Sequence, residues 1–169
     1  MSALLDVLQQ GAAAINALGD LDYAEPLPAL GASSAGAHYR HVLDHVVALL
    51  RGLAVGRIDY DNRDRSASLE TCRQTAFAAT LALIAELEAR RDLPDDLSLQ
   101  IVYAASGSAM ARGSYSSTLG RELAFLHSHA VHHLATIAML SRMRQLPLDP
   151  DLGMMPSTLA WRRAVRGVR

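Results

Sequence analysis

Apolar residues recur at helical spacing in four stretches of the chain, and polar or glycine-containing segments separate these stretches. Ser2 precedes the first stretch as a potential N-cap and Gly19 follows it, whereas Ser33 or Ser34 precedes the second and Gly56 follows it. The two long intervals between the prolines contain no further proline, as helical hairpins require. The pattern predicts helices over about Ala3–Leu18, from Ser33 or Ser34 to Leu53, over Ala67–Arg91, and from Ser117 or Thr118 to Arg144.

The third predicted helix has an apolar stripe that includes the single cysteine of the chain. Leu69, Cys72, Ala76, Leu83 and Leu87 repeat at helical spacing. A lone cysteine forms no internal disulfide, and small thiols in such stripes usually pack as apolar side chains. We therefore expect Cys72 to be buried in the core.

The segments between the helices are of three kinds. Residues 57–66 are polar and predict a connection, and residues 97–117 are rich in Gly and Ser and predict a loop or a small irregular hairpin. Residues 146–169 predict an irregular C-terminal arm with a short final turn of helix. Together with the four helices, they predict one all-α domain over 1–169, a four-helix bundle with a long crossover.

Composition and charge narrow the classes of partner. Half of the 169 residues are apolar, and 16 basic against 17 acidic residues give a net charge of −1. This balance gives no general reason to expect nucleic acid, and the basic C-terminal run WRRAVRGVR is too short to change that. The chain has no apolar run of transmembrane length and no signal-like N-terminus, which predicts a cytoplasmic protein without a membrane partner.

All seven histidines fall in two short windows, one on the second predicted helix and one on the fourth. Scattered surface histidines would not produce this distribution. Two histidines at i and i+4 on one helix can direct both imidazoles to a single metal ion. The histidines are His38, His41 and His45 in the first window, and His127, His129, His132 and His133 in the second.

The spacing favours His129 and His133 as one pair of metal ligands, with a third imidazole from the second helix. The third ligand stays open between His41 and His45, and the helical wheel places His45 nearer the apolar stripe. Three neutral nitrogens suit zinc or nickel, with iron and manganese as alternatives. Glu122 or Asp44 can orient a ligand through a hydrogen bond. The three remaining histidines, His38, His127 and His132, are each expected to be ordinary, partly buried side chains and not metal ligands.

Four segments carry a family resemblance: SAGAHYRHVLDHV, IDYDNRDR, RELAFLHSHAVHHLA and LGMMPSTL. With these segments the chain resembles the DinB-like family of metal-binding four-helix bundle proteins. The resemblance implies an up-down-down-up bundle, often dimeric, with a three-histidine metal site at one end. It places one ligand at His41, in the run Ser34-x-Gly36-x-x-x-x-His41, and the other two at His129 and His133.

The resemblance also implies a function. Some relatives resemble S-transferases that use a low-molecular-weight thiol, whose pKa a bound metal would lower. The partners expected are then a second copy of the chain, a small thiol and a small electrophile, and Arg40, Arg112 or Arg121 would hold an anionic cosubstrate. A metal-dependent hydrolase, a non-catalytic metal- or ligand-binding stress protein, and a histidine-lined helix interface are the alternatives.

Overall fold

The computed structural model of the protein describes residues 1–28, 31–104 and 112–167. These residues form seven helices and three strands that alternate in an irregular order along the chain. The elements are α1 (Ser2–Asn16), α2 (Asp20–Ala24), α3 (Ala35–Leu53), β1 (Arg57–Asp59), α4 (Ala67–Thr71), α5 (Arg73–Glu88), β2 (Ser98–Ala104), β3 (Arg112–Thr118), α6 (Leu119–Met143) and α7 (Pro156–Arg166).

The helices α3 and α6 carry the histidines, and both begin at a capped residue. The Ser34 hydroxyl accepts a hydrogen bond from the Ala37 backbone N–H, and the Thr118 hydroxyl accepts one from the Arg121 N–H. Helix α3 packs against α5 and α6, and α1 packs against the same two helices. Their apolar faces form a shared core whose fully buried members include Leu4, Leu8, Leu43, Leu49, Leu87 and Leu126.

A three-stranded sheet, in the order β1-β2-β3, shares this core, so the prediction of an all-α four-helix bundle is wrong. Strand β1 pairs with β2 in parallel, and β2 pairs with β3 antiparallel. Ile58, Leu99 and Ile101 from the sheet are buried in the same cluster as the helix residues. The fold is therefore α+β, and the region predicted as a crossover contributes part of the core.

The Gly- and Ser-rich region forms a hairpin in its described part. Residues 98–104 pair with residues 112–118, with Ile101 opposite Tyr115. Residues 105–111, which the predicted loop or hairpin also covered, lie outside the described residues.

The third predicted helix is broken at Cys72, which has extended backbone angles (φ −118°, ψ 105°). The Cys72 thiol is partly exposed and lies 3.6 Å from the Gln74 side-chain oxygen, so the prediction that it is buried in the core is wrong. The break allows α4 to pack against α3 while α5 packs against α1. A Cβ on Gly36 of α3 would lie 2.0 Å from the carbonyl oxygen of Glu70, which shows how closely α4 approaches.

The C-terminal arm is helical over the 11 residues Pro156–Arg166, which is longer than the short final turn of helix that was predicted for this irregular arm. Pro156 occupies the first turn of α7, where its missing N–H costs no hydrogen bond. The structure does not describe residues 168–169, which include Arg169 of the basic run, or the side chain of Arg166. None of the helices in the described residues combines the length and the apolar character that crossing a lipid bilayer requires.

Candidate metal centre

Three histidines from two helices converge between α3 and α6. His41 and His45 lie one turn apart on α3, and His129 faces them from α6. One ring nitrogen from each residue lies within 4.8 Å of the corresponding nitrogens of the other two. These three side chains, here the histidine trio, form a group that can hold a metal ion.

His45 is the most buried member of the trio, with 5% of its surface exposed. Its Nδ1 lies 2.8 Å from the His41 backbone carbonyl, so Nδ1–H donates and the Nε2 lone pair remains for another partner. Burial lowers the pKa of His45 to about 4, although the hydrogen bond to the carbonyl opposes this shift. His45 is thus neutral at pH 7, as a metal ligand must be.

His129 contains a buried polar atom that lacks a partner. Its Nε2 is enclosed and forms no hydrogen bond with any described residue. The ring contacts Phe125, at a centroid distance of 5.6 Å, and His45, at 4.3 Å. Buried ring nitrogens are rarely left unsatisfied, and a metal ion bound by the trio would supply the missing partner. The residues present therefore fit a transition metal.

His41 is half-buried and contacts both other members of the trio. Its ring centroid lies 4.4 Å from that of His45 and 5.0 Å from that of His129. Burial and, to a smaller extent, the neighbouring imidazoles together lower the pKa of His41 to about 3. Burial also lowers the pKa of His129. All three imidazoles are consequently neutral nitrogen donors at physiological pH.

A second group, here the histidine pair, consists of His38 and His133. Their Nδ1 atoms lie 3.0 Å apart, and His38 Nε2 lies 3.1 Å from the Ser33 hydroxyl. The His133 ring also lies 4.5 Å from His129 and 4.7 Å from His41, between centroids. The structure thus brings His133 next to the trio, but one of its nitrogens already has a protein partner.

The two remaining histidines lie apart from the trio. His132 is exposed, and within the part of the chain that the structure describes its one ring contact is with His133, at 5.2 Å. His127 lines a different cavity, beside Leu4 of α1 and Leu123 of α6.

The two predicted orienting carboxylates do not hydrogen-bond a histidine in the described chain. Asp44 accepts from Arg40, and burial raises its pKa. Glu122 is fully buried and accepts from Tyr60 (2.8 Å), Ser117 (2.5 Å) and Arg121 (2.9 Å). Because the Tyr60 ring stacks on His45 at 5.5 Å, Glu122 holds His45 in place indirectly, through Tyr60.

The three predicted arginines are all ion-paired within the protein. Arg40 pairs with Asp44 and Glu70, Arg112 with Asp59, and Arg121 with Glu122. None of them contacts a histidine of the trio through a hydrogen bond in the described chain.

Arg63 is the residue that sequence reasoning missed. Its Nη1 lies 3.3 Å from His45 Nε2 and also donates to the Tyr60 carbonyl. Its Nε is buried and has no hydrogen-bond partner among the described residues. Arg63 lies in the segment IDYDNRDR, which carries part of the family resemblance, but nothing in its alternation of arginines and aspartates singles out this arginine.

A cavity of about 280 Å³ lies between the sheet and two aromatic residues that contact the trio, although no histidine of the trio lines it. Tyr60, which stacks on His45, and Phe125, which stacks on His129, both line it. The other lining residues are Ile101, Tyr103, Arg121 and Glu122. The cavity is large enough for a small organic molecule and is mostly apolar.

Comparisons with known proteins give little further identification. No protein-family model matches the chain, and no solved structure matches it. A segment of 102 residues is 28% identical to FK506-binding protein 5 of Rhizopus delemar, covering 60% of this chain and 26% of that protein. The match thus spans about a quarter of the relative's length, and at this identity and coverage it does not assign the chain to a family.

Proposed function

We propose that the protein binds one divalent transition metal through His41, His45 and His129. The observation that carries this proposal is the buried Nε2 of His129, which has no hydrogen-bond partner in the described chain. A neutral imidazole nitrogen enclosed beside two other neutral imidazoles is stabilised by a shared cation. The lowered pKa values of all three histidines support the proposal, because they keep protons from competing with the metal.

His45 is preferred over His133 as the third ligand for two reasons. Its Nδ1 donates to a carbonyl, which fixes the tautomer with the lone pair on Nε2, where the Arg63 Nη1 is the neighbouring donor. The Nδ1 of His133 instead contacts another imidazole nitrogen, that of His38, so no backbone acceptor fixes its tautomer. The family resemblance favours His133 instead, so the two sets differ in one ligand and single substitutions can distinguish them.

The donor set supports zinc or nickel before iron or manganese, because imidazole nitrogens suit these metals. Three protein ligands leave a coordination position for an exogenous group. When bound, the metal would lower the pKa of a coordinating thiol or water and so supply a nucleophile at neutral pH.

We propose thiol transfer to a small electrophile as the reaction, in line with the resemblance to DinB-like proteins. The chain's own contribution is positioning. Phe125 and Tyr60 hold the rings of His129 and His45, and buried Glu122 fixes the Tyr60 hydroxyl. The cavity bordered by these two aromatic rings offers an apolar site for the electrophile.

A non-catalytic metal-binding protein is the second candidate, and one observation favours it. The His133 ring lies 4.5 Å from His129 and 4.7 Å from His41. If His133 completes a four-nitrogen site, no position remains for a substrate, as in structural metal centres.

Metal content of the tag-free protein, measured by elemental mass spectrometry after incubation with zinc or nickel, tests the binding proposal. We expect about one metal per chain in the wild type and in His132→Ala, and almost none in His129→Ala. Metal-loaded protein is then assayed for conjugation of a small thiol to an electrophilic dye. Absence of metal in the wild type would overturn the proposal, and a loaded protein without conjugation would favour the non-catalytic candidate.

A further inference from the structure

Arg63 occupies the position at His45 that a metal ion needs. Since Nδ1 of His45 donates to the His41 carbonyl, the only lone pair of the ring is on Nε2. The Arg63 Nη1 donates to this same nitrogen over 3.3 Å. A metal that binds His45 therefore displaces this hydrogen bond, and the guanidinium then needs another acceptor.

Arg63 forms no direct ion pair with a described residue, and the carboxylates of Asp44 and Asp61 act on its charge only through space. Arg40, Arg112 and Arg121 each pair with a carboxylate at 2.6–2.9 Å. Arg63 instead donates to two neutral acceptors, the Tyr60 carbonyl and His45, while its buried Nε has none. A guanidinium in this state is well prepared to accept an external anion.

A metal bound at the trio would place a second positive charge beside the guanidinium. Two neighbouring cations repel each other, and an anionic group that contacts Arg63 removes this repulsion. The planar fork of arginine matches a carboxylate, with two parallel N–H donors. The site is thus suited to a small molecule with one group for the metal and a carboxylate for Arg63.

We propose that Arg63 is the recognition residue for a carboxylate on the small thiol that binds at the histidine trio. This inference rests on the proposed metal function and specifies the class of thiol, a carboxylate-bearing one. Arg63 contributes to the binding of the thiol, and the observable effect of this contribution is a higher affinity for thiols that carry a negative charge.

The test uses the cobalt-loaded protein and three thiols of similar size that differ in charge. The thiols are 3-mercaptopropionate, 2-mercaptoethanol and cysteamine, and binding is followed through the sulfur-to-cobalt absorption band. Wild type is compared with Arg63→Gln and with the control Arg65→Gln, which removes the same charge from an exposed position two residues away. Comparing variants thiol by thiol cancels the differences in intrinsic thiol acidity.

We expect Arg63→Gln to weaken the binding of 3-mercaptopropionate about tenfold, which is the size of one charge-assisted contact. The affinity for 2-mercaptoethanol should stay unchanged, and the affinity for cysteamine should stay unchanged or increase slightly. Arg65→Gln should retain the wild-type preference. Arg63→Lys keeps the positive charge but not the two parallel N–H donors, so its affinity for 3-mercaptopropionate should lie between those of the wild type and Arg63→Gln. This variant replaces Arg63→Gln in the test if the glutamine variant does not fold. Without thiol, Arg63→Gln should bind cobalt more tightly than the wild type, because the competing donor is gone.

Two negative results have different meanings. If cobalt does not bind the wild type, the metal function fails and the role of Arg63 fails with it. If cobalt binds but Arg63→Gln and Arg63→Lys affect all three thiols equally, only the role of Arg63 is overturned.

Discussion

The histidine trio and the histidine pair lie on neighbouring turns of the same two helices, but their hydrogen bonding differs. In the pair, His38 and His133 contact each other through Nδ1, and His38 also contacts Ser33. In the trio, His129 Nε2 is buried without any partner in the described chain. Proximity alone therefore does not identify metal ligands, and the nitrogens that the protein leaves unsatisfied are the better indicator.

The largest expected effect is that of His129→Ala on metal affinity. Structural zinc sites bind with about 10–16 kcal/mol over four ligands, so one ligand contributes about 3 kcal/mol, or about 100-fold in affinity. We expect a loss of at least this size by competition with a chromophoric chelator. His132→Ala, on the same helix, is the control and should retain the metal affinity of the wild type. If His132→Ala lost as much affinity as His129→Ala, the assignment of His129 as a ligand would be contradicted.

The comparison of His45→Ala with His133→Ala separates the trio from the alternative ligand set. If His45 is a ligand, its removal should also weaken binding about 100-fold, by the same reasoning. Removal of His133 should cost about tenfold or less, since it would only disturb the surroundings of the ligands. Calorimetric titration with zinc measures both, and the reverse order would assign the third ligand to His133.

Metal binding should raise the melting temperature of the wild type. A ligand at 100 times its dissociation constant stabilises the folded state by about 2.7 kcal/mol, or about 5–11 °C for a chain of this size. Thermal unfolding with zinc and with a chelator measures the difference. The shift should vanish in His129→Ala and persist in His38→Ala, and an unchanged shift in His129→Ala would mean that zinc binds elsewhere.

The stability of the metal-free protein should fall as the pH decreases from 7 to 5. Burial lowers the pKa of His41 to about 3 and that of His45 to about 4, whereas in the unfolded chain both titrate near 6.5. Below about pH 6.5 the unfolded chain binds more protons, so the free energy of unfolding decreases until the folded pKa values are reached.

Urea unfolding at several pH values measures this dependence, with His41→Asn as the comparison variant. This variant should show a shallower loss of stability between pH 7 and 5, because one contributing imidazole is gone. A wild type whose unfolding free energy does not change over this range would contradict the neutral, buried state of the trio.

Ser34→Ala should have the smallest effect and should act mainly on the pair. Loss of the N-cap hydrogen bond to Ala37 costs about 1 kcal/mol and loosens the first turn of α3, where His38 lies. His41 and His45 lie further into the helix and should retain zinc affinity within a few-fold. Urea unfolding and a zinc titration check the two halves of this prediction, and Ser128→Ala, at an exposed position of α6, is the control.

The sequence predicted the two histidine-bearing helices well, because their capping residues and the spacing of their histidines are local signals. Ser34 and Thr118 cap the two histidine-bearing helices, near the predicted starts, and the i, i+4 spacing placed the histidines on facing sides. The cluster was therefore predictable as a region. The identity of the third ligand was not predictable, because the helical wheel favoured His45 and the family resemblance favoured His41 with His133. The choice depends on the hydrogen bonds of His133 to His38 and of His45 to the His41 carbonyl.

Part of the sheet was expected, since a loop or a small irregular hairpin was predicted over residues 97–117, where β2 and β3 pair. Local pattern did not predict strand β1, the break at Cys72 or the role of Arg63. Strand β1 is three residues long, and its pairing of Ile58 with Ile101 joins positions far apart in the sequence. The chain leaves the helical conformation at Cys72 although the apolar period continues through it, and α4 packs against α3 whereas α5 packs against both α1 and α3. Arg63 acquires its importance only when the loop after β1 brings it beside His45.

Nitrogen-15 NMR of histidine-labelled protein, with and without zinc, tests the central claim most directly. Coordination shifts the resonance of the bound ring nitrogen and fixes the tautomer of each ring. We predict that one ring nitrogen of each of His41, His45 and His129 shifts at one equivalent of zinc, with Nε2 the shifting nitrogen in His45 and His129, while both nitrogens of His38 and His133 keep their positions. Shifts at His133 in place of His45, or no shift at any of the three, would contradict the account.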